Sequence, residues 1–321
     1  MYTDLPLDQL RTRVSSAVEP ADFDEFWANT IAESRALASP PTLEQVESPL
    51  TAIDVFDVSF SGYGGQPIRA WLRVPAGAST PLPTVVHFVG YGGGRGHAID
   101  DLHIAASGFA HLHMDTRGQG STWSTGVTPD DAPPSGPQVP GVMTKGIASR
   151  NSYYYRRLMT DAVLAVDAAR SLDVVDANRL GVRGGSQGGA LALAATAFGT
   201  GVRAAAVRVP FLADIPRAIT ITDAYPFREI TDFLRTHRTL ADSVLETLGY
   251  FDSATLAARA TAPADFSVGL MDPTTPPSTV FAAYNAYAGE KTITVWPYNG
   301  HEGGGPDDDV RELAFFRTRL A

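Results

Sequence analysis

No cysteine occurs among the 321 residues. That excludes disulfides, thiolate metal centres and a cysteine nucleophile together. A cysteine-free chain suits a reducing compartment, and a cytoplasmic location is the expectation. Lysine is nearly absent too. Lys145 and Lys291 are the only two, which removes most candidates for Schiff-base chemistry. No run of about 18 apolar residues is present, so no membrane span is expected. The opening Met1 to Asp8 has neither a basic leader nor an apolar segment, so no signal peptide is expected. Cations are outnumbered, 25 Lys and Arg against 35 Asp and Glu, for a net charge of −10. A nucleic-acid partner wants the opposite balance and is not expected.

What is present suits a large core: 44% of the residues are hydrophobic and 19% charged. Phe23, Phe26, Trp27, Ile31 and Leu37 recur near helical spacing, so a helix is predicted over 21–37, closed by Pro40-Pro41. Asp54 to Phe60 and Ile68 to Val74 alternate as strands, and Gly62, Gly64 and Gly65 between them predict a hairpin. The pattern then changes. Thr84 to Val89, Phe109 to Met114, Leu180 to Val182, Val202 to Val209, Phe266 to Met271 and Thr292 to Tyr298 are short apolar runs. Such runs are strands buried on both faces of a parallel sheet. Helical patterns lie between them over 153–171, 190–198 and 277–288, and a last one covers 307–320. Alternating strands and helices imply right-handed crossovers and an α/β fold with a mostly parallel central sheet. The chain is predicted as a single domain over 1–321. It has an N-terminal helix and hairpin extension over about 1–50 and a small helical, cap-like insertion over about 210–262. Residues 125–143 hold five prolines and form a long irregular insertion.

The sharpest chemical signal is Gly184-Gly185-Ser186-Gln187-Gly188, between a short strand and an apolar helix. In that setting G-x-S-x-G is a nucleophile elbow. The serine sits in a strained turn, glycines on either side let strand and helix approach, and the hydroxyl stands at a helix N-terminus. Ser186 is the candidate nucleophile. It needs a base and the base an orienter, and in this architecture the order is Ser, acid, His. Two histidines follow it. His237 sits in a charged helical stretch, whereas His301 lies in Asn299-Gly300-His301-Glu302-Gly303, a loop after a strand. His301 is the base. Asp272 follows the strand run Val268 to Met271 and is the orienter. Asp214, Asp223, Asp232, Asp242 and Asp252 fall in the insertion, where solvated carboxylates are expected. Acyl transfer also needs oxyanion donors. The backbone N–H of Gln187 is one candidate. The N–H of Tyr91, in Gly90-Tyr91-Gly92-Gly93-Gly94 after an early strand, is the other. No G-x-G-x-x-G fits that loop and no P-loop occurs, so a nucleotide site is not expected.

Through these motifs the sequence resembles the acetyl xylan esterase / cephalosporin-C deacetylase family of carbohydrate esterases, a branch of the α/β-hydrolases. The resemblance is carried by Asp115-Thr116-Arg117-Gly118-Gln119-Gly120, Gly184 to Gly189 and His301-Glu302. It is extended by Asp22 to Trp27, Tyr153 to Arg157, Gly269 to Pro273 and Pro276 to Val280. It implies an α/β-hydrolase fold. It implies hydrolysis of acetyl esters of small sugars and of cephalosporin-like acetoxy groups. It assigns Ser186, Asp272 and His301 to a triad and Tyr91 and Gln187 to the oxyanion hole, in agreement with the residues themselves. A structural role is implied for Arg117, Gly118, Gln119 and Glu302. Relatives assemble as ring-shaped hexamers with sites facing an inner cavity, so a homo-oligomer is expected. Two departures stand out: Thr275, where relatives often carry cysteine, and the proline-rich stretch Asp130 to Pro140.

Other constellations are read as structural. His111 and His113 share one face of a strand, but no third histidine or carboxylate has a ligand spacing, so no metal and no cofactor are expected. Asp307-Asp308-Asp309 suits the first turn of a helix. Tyr153-Tyr154-Tyr155 is read as packing at a helix entry, and Trp123 and Phe211 as pocket walls. The alternatives are a serine peptidase or broad-specificity carboxylesterase on the same fold, or a non-catalytic binding module.

Overall fold

The computed structural model describes residues 4–130, 136 and 138–321. Nine strands form one sheet: β1 (Thr42–Gln45), β2 (Ile53–Ser61), β3 (Pro67–Pro75), β4 (Leu82–Phe88), β5 (Ala110–Met114), β6 (Val175–Gly185), β7 (Val202–Arg208), β8 (Ala264–Gly269) and β9 (Lys291–Trp296), in the order β1-β2-β3-β5-β4-β6-β7-β8-β9. β1, β2 and β3 run antiparallel, with β3 antiparallel to β5. From β5 to β9 every pairing is parallel. The hairpin is β2-β3, registered from Ile53 opposite Pro75 to Ser61 opposite Pro67. β1 was not predicted, because its four exposed residues carry no apolar alternation. β6 is far longer than its apolar centre Leu180 to Val182: it begins with Val175 opposite Leu82, and polar Asp176 to Arg179 fall at an irregularity before Leu180 meets Thr84.

The two faces of the sheet differ. Side chains alternate along a strand, so Val86, Phe88, Leu112, Met114 and Val182 point one way, into the main core. There they meet the helices Phe23–Ala36, Tyr154–Arg170 and Gln187–Phe198. The helix Gln187–Phe198 is Ala- and Leu-rich, and its first ten residues are buried. The opposite face is covered by the helix Pro306–Arg319 and the short turn His103–Ala106. Its apolar cluster is small: Val85, Ile104, Phe109, Ala204, Ala206, Phe316 and Leu320. Past that cluster, towards the carboxyl ends of the strands, the same face carries His87, His113, Arg183 and Arg208.

Between β7 and β8 lie the helices Ile215–Ile221, Phe227–Thr236, Ala241–Gly249 and Ser253–Ala257. Two insertion carboxylates depart from the expectation of solvation: Asp214 and Asp252 are fully buried. Asp214 accepts from Arg13 Nη2 (2.7 Å) and from Ser16 N (2.7 Å), tying the N-terminal segment to the insertion. Asp252 accepts the backbone N–H groups of Ile215, Ala254 and Asp214 at 2.8, 2.9 and 3.2 Å. Sequence polarity alone does not reveal them, because their partners come from other segments. Most of the proline-rich stretch Asp130 to Pro140 lies outside the described residues. No helix among those described is long and apolar enough to cross a membrane.

Burial pushes the Asp252 carboxyl up to about 7 against the pull of its three N–H partners, with the nearby Asp214 charge adding to the rise. A folded-state value above the unfolded 3.8 means the folded protein holds a proton that the unfolded chain has released. Its stabilising contribution is complete below the unfolded value and is lost as pH rises through the folded one. Wild type should therefore lose stability relative to Asp252→Asn between about pH 4 and pH 7. Paired thermal melts across that range test this; a difference that grew in favour of wild type would contradict it.

Candidate active site

Ser186 stands between the end of β6 and the first turn of the helix Gln187–Phe198, at φ 57° and ψ −121°. A non-glycine residue holds such a conformation only when its surroundings enforce it. Here Ser186 N donates to Arg208 O (3.0 Å), and Ser186 O accepts from Ala190 N (3.1 Å) and Phe211 N (3.0 Å). The flanking glycines have a steric cause. A Cβ on Gly184 would lie 2.2 Å from the Gly188 carbonyl, and one on Gly188 would lie 2.2 Å from Phe88 O.

His301 and Asp272 reach the same carboxyl-end crevice from the loops after β9 and β8. His301 Nδ1 donates to Asp272 Oδ2 at 2.8 Å. Asp272 is buried. Its Oδ1 accepts from Thr274 N (2.7 Å) and Thr275 N (3.0 Å), and its Oδ2 from Thr275 Oγ1 (2.7 Å). Thr275, where cysteine is common in the resemblance, thus gives the carboxylate two hydrogen bonds. With Nδ1 committed, Nε2 is the nitrogen left to act as base. The two loops pack closely: a Cβ on Gly269 would meet Gly300 O at 2.2 Å, and Met271 N donates to Asn299 O (2.9 Å). Glu302 accepts from Gly300 N and Asn299 Nδ2 at 3.1 Å each and so shapes the histidine loop.

The backbone N–H groups of Tyr91 and Gln187 donate to no acceptor among the described residues, while everything around them is tied down. Tyr91 OH donates to Glu229 Oε1 (2.6 Å) and accepts from Gly141 N (3.0 Å), and Tyr91 O accepts from Trp123 Nε1 (2.8 Å). Gln187 Oε1 accepts from Tyr155 OH (3.0 Å) and Gln119 Nε2 (2.9 Å). Gln119 Oε1 in turn accepts from Gly92 N (2.6 Å). Gln119 therefore bridges the two loops that carry the candidate donors. Tyr154 OH donates to Arg117 O at 2.6 Å. The tyrosine triplet is buried as packing, and two of its hydroxyls also brace this network.

Arg117 is sealed from solvent, with Nη2 and Nε on the two oxygens of Asp161 at 2.7 and 2.5 Å. Behind it Asp130 accepts from both Arg157 Nε and Nη2 at 2.9 Å and from Lys145 Nζ at 2.6 Å. Burial would raise Asp130, but these cations hold it down at about 2. Gly118 adopts φ +64°, where a Cβ would lie 2.8 Å from that of Asp130.

Ser186, Tyr91 and His301 line one cavity of about 650 Å³. Trp123 lines it and is 65% exposed; Phe211 does not, being fully buried against Phe227. Part of the lining was not anticipated from the sequence. It holds His87, His113, Arg183, Arg208 and Asp309. The third histidine that spacing along the chain could not supply is His87, one strand away. His87 Nδ1 and His111 Nε2 are 3.2 Å apart, and the rings of His87 and His113 stack at 4.2 Å and 11°. Near-parallel rings do not aim their lone pairs at one point, as a metal would require. Burial holds all three pKa values well below the ordinary range, helped by arginine charges at each and by the His113 charge at His87 and His111. Of the acidic triplet, Asp307 is exposed but Asp308 is buried, accepting from Ser267 Oγ (2.8 Å) and Gly304 N (2.9 Å).

The family model for acetyl xylan esterase matches residues 1–319. The chain belongs to the acetyl xylan esterase family. This member is 38% identical to an acetyl xylan esterase from Paenibacillus sp. R4, with a TM-score of 0.90 over 98% of this chain and 100% of the other. It is 31% identical to acetyl xylan esterase 1 from Thermoanaerobacterium sp. JW/SL YS485, with a TM-score of 0.86 over 98% and 99% of the two chains. It is also 26% identical over 292 residues to the acetyl esterase Axe7A of Xylanibacter ruminicola, covering 88% of this chain but only 63% of that protein. The fold is accordingly that of the α/β-hydrolases, and the chain is a carboxylic ester hydrolase by family.

Replacing Arg117 with Met should strand the buried Asp161 carboxylate and cost about 3–5 kcal/mol, the size seen when one partner of a buried pair is removed. Denaturant unfolding measures it; a loss under about 1 kcal/mol, the size of an exposed pair, would mean the pair is not sealed.

Proposed function

We propose that this protein is a serine esterase that removes acetyl groups from small acetylated saccharides, acetylated xylo-oligosaccharides first among them. The carrying observation is the convergence on one cavity of a strained Ser186, a His301 bonded to Asp272, and Tyr91, with the uncommitted N–H of Gln187 directly following the serine, in a chain of this family. His301 Nε2 takes the Ser186 proton as Oγ attacks the ester carbonyl, and the Tyr91 and Gln187 amides receive the oxyanion. Asp272 stabilises the imidazolium that results. The protonated imidazole hands its proton to the departing sugar hydroxyl, leaving acetyl-Ser186. Water, activated by the same imidazole, releases acetate. Arg117, Gly118 and Gln119 position the loops from outside the cavity lining, and Glu302 shapes the histidine loop.

The acetoxy group of cephalosporin-like molecules fits the same chemistry, because the ester rather than the alcohol is what the triad acts on. The sequence resemblance supports a homo-oligomer, a hexamer, and the cysteine-free composition suits a cytoplasmic setting. Light scattering of the purified chain tests the first.

Ser186→Ala should lower kcat on 4-nitrophenyl acetate and on acetylated xylo-oligosaccharides by on the order of 10⁴ or more, with the thermal transition retained. Equal activity in that variant would refute the mechanism. An aminoacyl amide cleaved faster than the acetyl esters would favour a peptidase.

A further inference from the structure

Resting on the saccharide reading above, we propose that Arg208 and Asp309 form a hydroxyl-reading pair beside the nucleophile, selecting acetyl esters of polyols over acetyl esters of plain alcohols. Arg208 ends β7, and its carbonyl accepts the Ser186 N–H. A Cβ on Gly185 would lie 3.8 Å from the Arg208 Cβ, so this side chain starts one strand away from the elbow. Asp309, from the first turn of the helix Pro306–Arg319, meets it there: Arg208 Nη2 donates to Asp309 Oδ1 at 2.6 Å. Both residues line the cavity that holds Ser186.

The pair is held before any substrate arrives. Arg208 Nε is bound by the buried Glu312, and Arg183 Nη2 donates to Asp309 Oδ1 at 2.9 Å. Two guanidiniums and two carboxylates share this corner, so their charges cancel and the corner suits a neutral ligand better than an anion. On Arg208 and Asp309 themselves one donor and one acceptor remain over. Arg208 Nη1 and Asp309 Oδ2 bond to no described residue, and neither is among the polar atoms sealed from solvent. A hydroxyl can accept from the first and donate to the second. An alkoxy group can only accept, and a hydrocarbon does neither.

The Trp123 ring completes the fit. A Cβ on Gly90 would lie 3.4 Å from the Trp123 ring and 4.0 Å from the Ser186 Cβ, so an exposed aromatic ring also stands near the nucleophile. An apolar plane against one face and a fixed donor–acceptor pair at the edge is what a pyranose ring requires, with C–H groups on its faces and hydroxyls on its rim. Preorganised polar groups discriminate strongly, because a ligand lacking the hydroxyl leaves them unpaired.

The test compares kcat/KM for a monoacetylated methyl β-xylopyranoside with that for 4-nitrophenyl acetate, in wild type, Asp309→Asn, Arg208→Met and Arg208→Lys. The lysine variant keeps the buried charge and removes the second guanidinium nitrogen, which guards against a variant that fails to fold. Each should lower the xyloside-to-aryl ratio by roughly tenfold to hundredfold, the worth of a charged hydrogen bond, mainly through KM. Methyl β-xylopyranoside itself should inhibit 4-nitrophenyl acetate hydrolysis in wild type, with an inhibition constant raised by the same factor in the variants. A merely structural role would lower both activities together and leave the ratio and the inhibition unmoved. Folded variants that keep the ratio within twofold overturn the pair alone. A wild type that cleaves the aryl ester but not the xyloside overturns the saccharide reading and the pair with it.

Discussion

The close approach of three backbones at the end of the sheet is the constraint on which the rest depends. β4, β6 and the helix after the elbow touch where Gly184 faces Gly188 and Gly188 faces Phe88 O. Any side chain at either glycine would force the helix off the sheet. That contact holds Ser186 at a positive φ, sends Oγ above the strand ends, and leaves the first N–H of a buried helix without a carbonyl partner. The strain at the proposed nucleophile and the free N–H of the proposed oxyanion donor are thus two results of one packing event.

Around that point the molecule uses buried charge as a frame. Arg117 with Asp161, and Asp130 with Arg157 and Lys145, lock the loop that carries Gln119. Gln119 then bridges Gly92 and Gln187 across the two loops that carry the candidate oxyanion donors. Removing charges from water is costly, and the cost is met only when every oxygen and nitrogen finds a partner. Once met, the geometry is hard to deform. The second polar corner, Arg183, Arg208, Asp309 and Glu312, is charge-paired too but less completely: Arg183 Nε and Glu312 Oε2 lie 3.1 Å apart without a hydrogen bond, and Arg208 Nη1 and Asp309 Oδ2 bond to no described residue.

The parallel strands, the first helix and the elbow were legible because each rests on local pattern. Val85 and Val86 alternate with no polar partner to satisfy, and Gly184 to Gly188 lie within a few residues of one another. Strand β1 was not legible, because exposed residues at a sheet edge need only backbone pairing. Asp214 and Asp252 misled for a related reason: a carboxylate is called solvated from its neighbours in sequence, whereas its burial depends on Arg13, Ser16 and backbone N–H groups elsewhere. Phe211 follows the elbow's packing into the core rather than its cavity.

By itself the sequence determined the candidates for the proposed chemistry: a serine between glycines, a later aspartate and a last histidine, in an order that one sheet topology can bring together. It could do so because those residues are fixed by covalent neighbours and strand ends. Tertiary structure alone decided what surrounds the chemistry. His87, His113, Arg183, Arg208 and Asp309 come from four strands and a terminal helix, and only the period-two alternation of strands laid side by side puts them on one wall. Spacing along a chain carries no record of which strand lies next to which, and so none of the shape of the pocket.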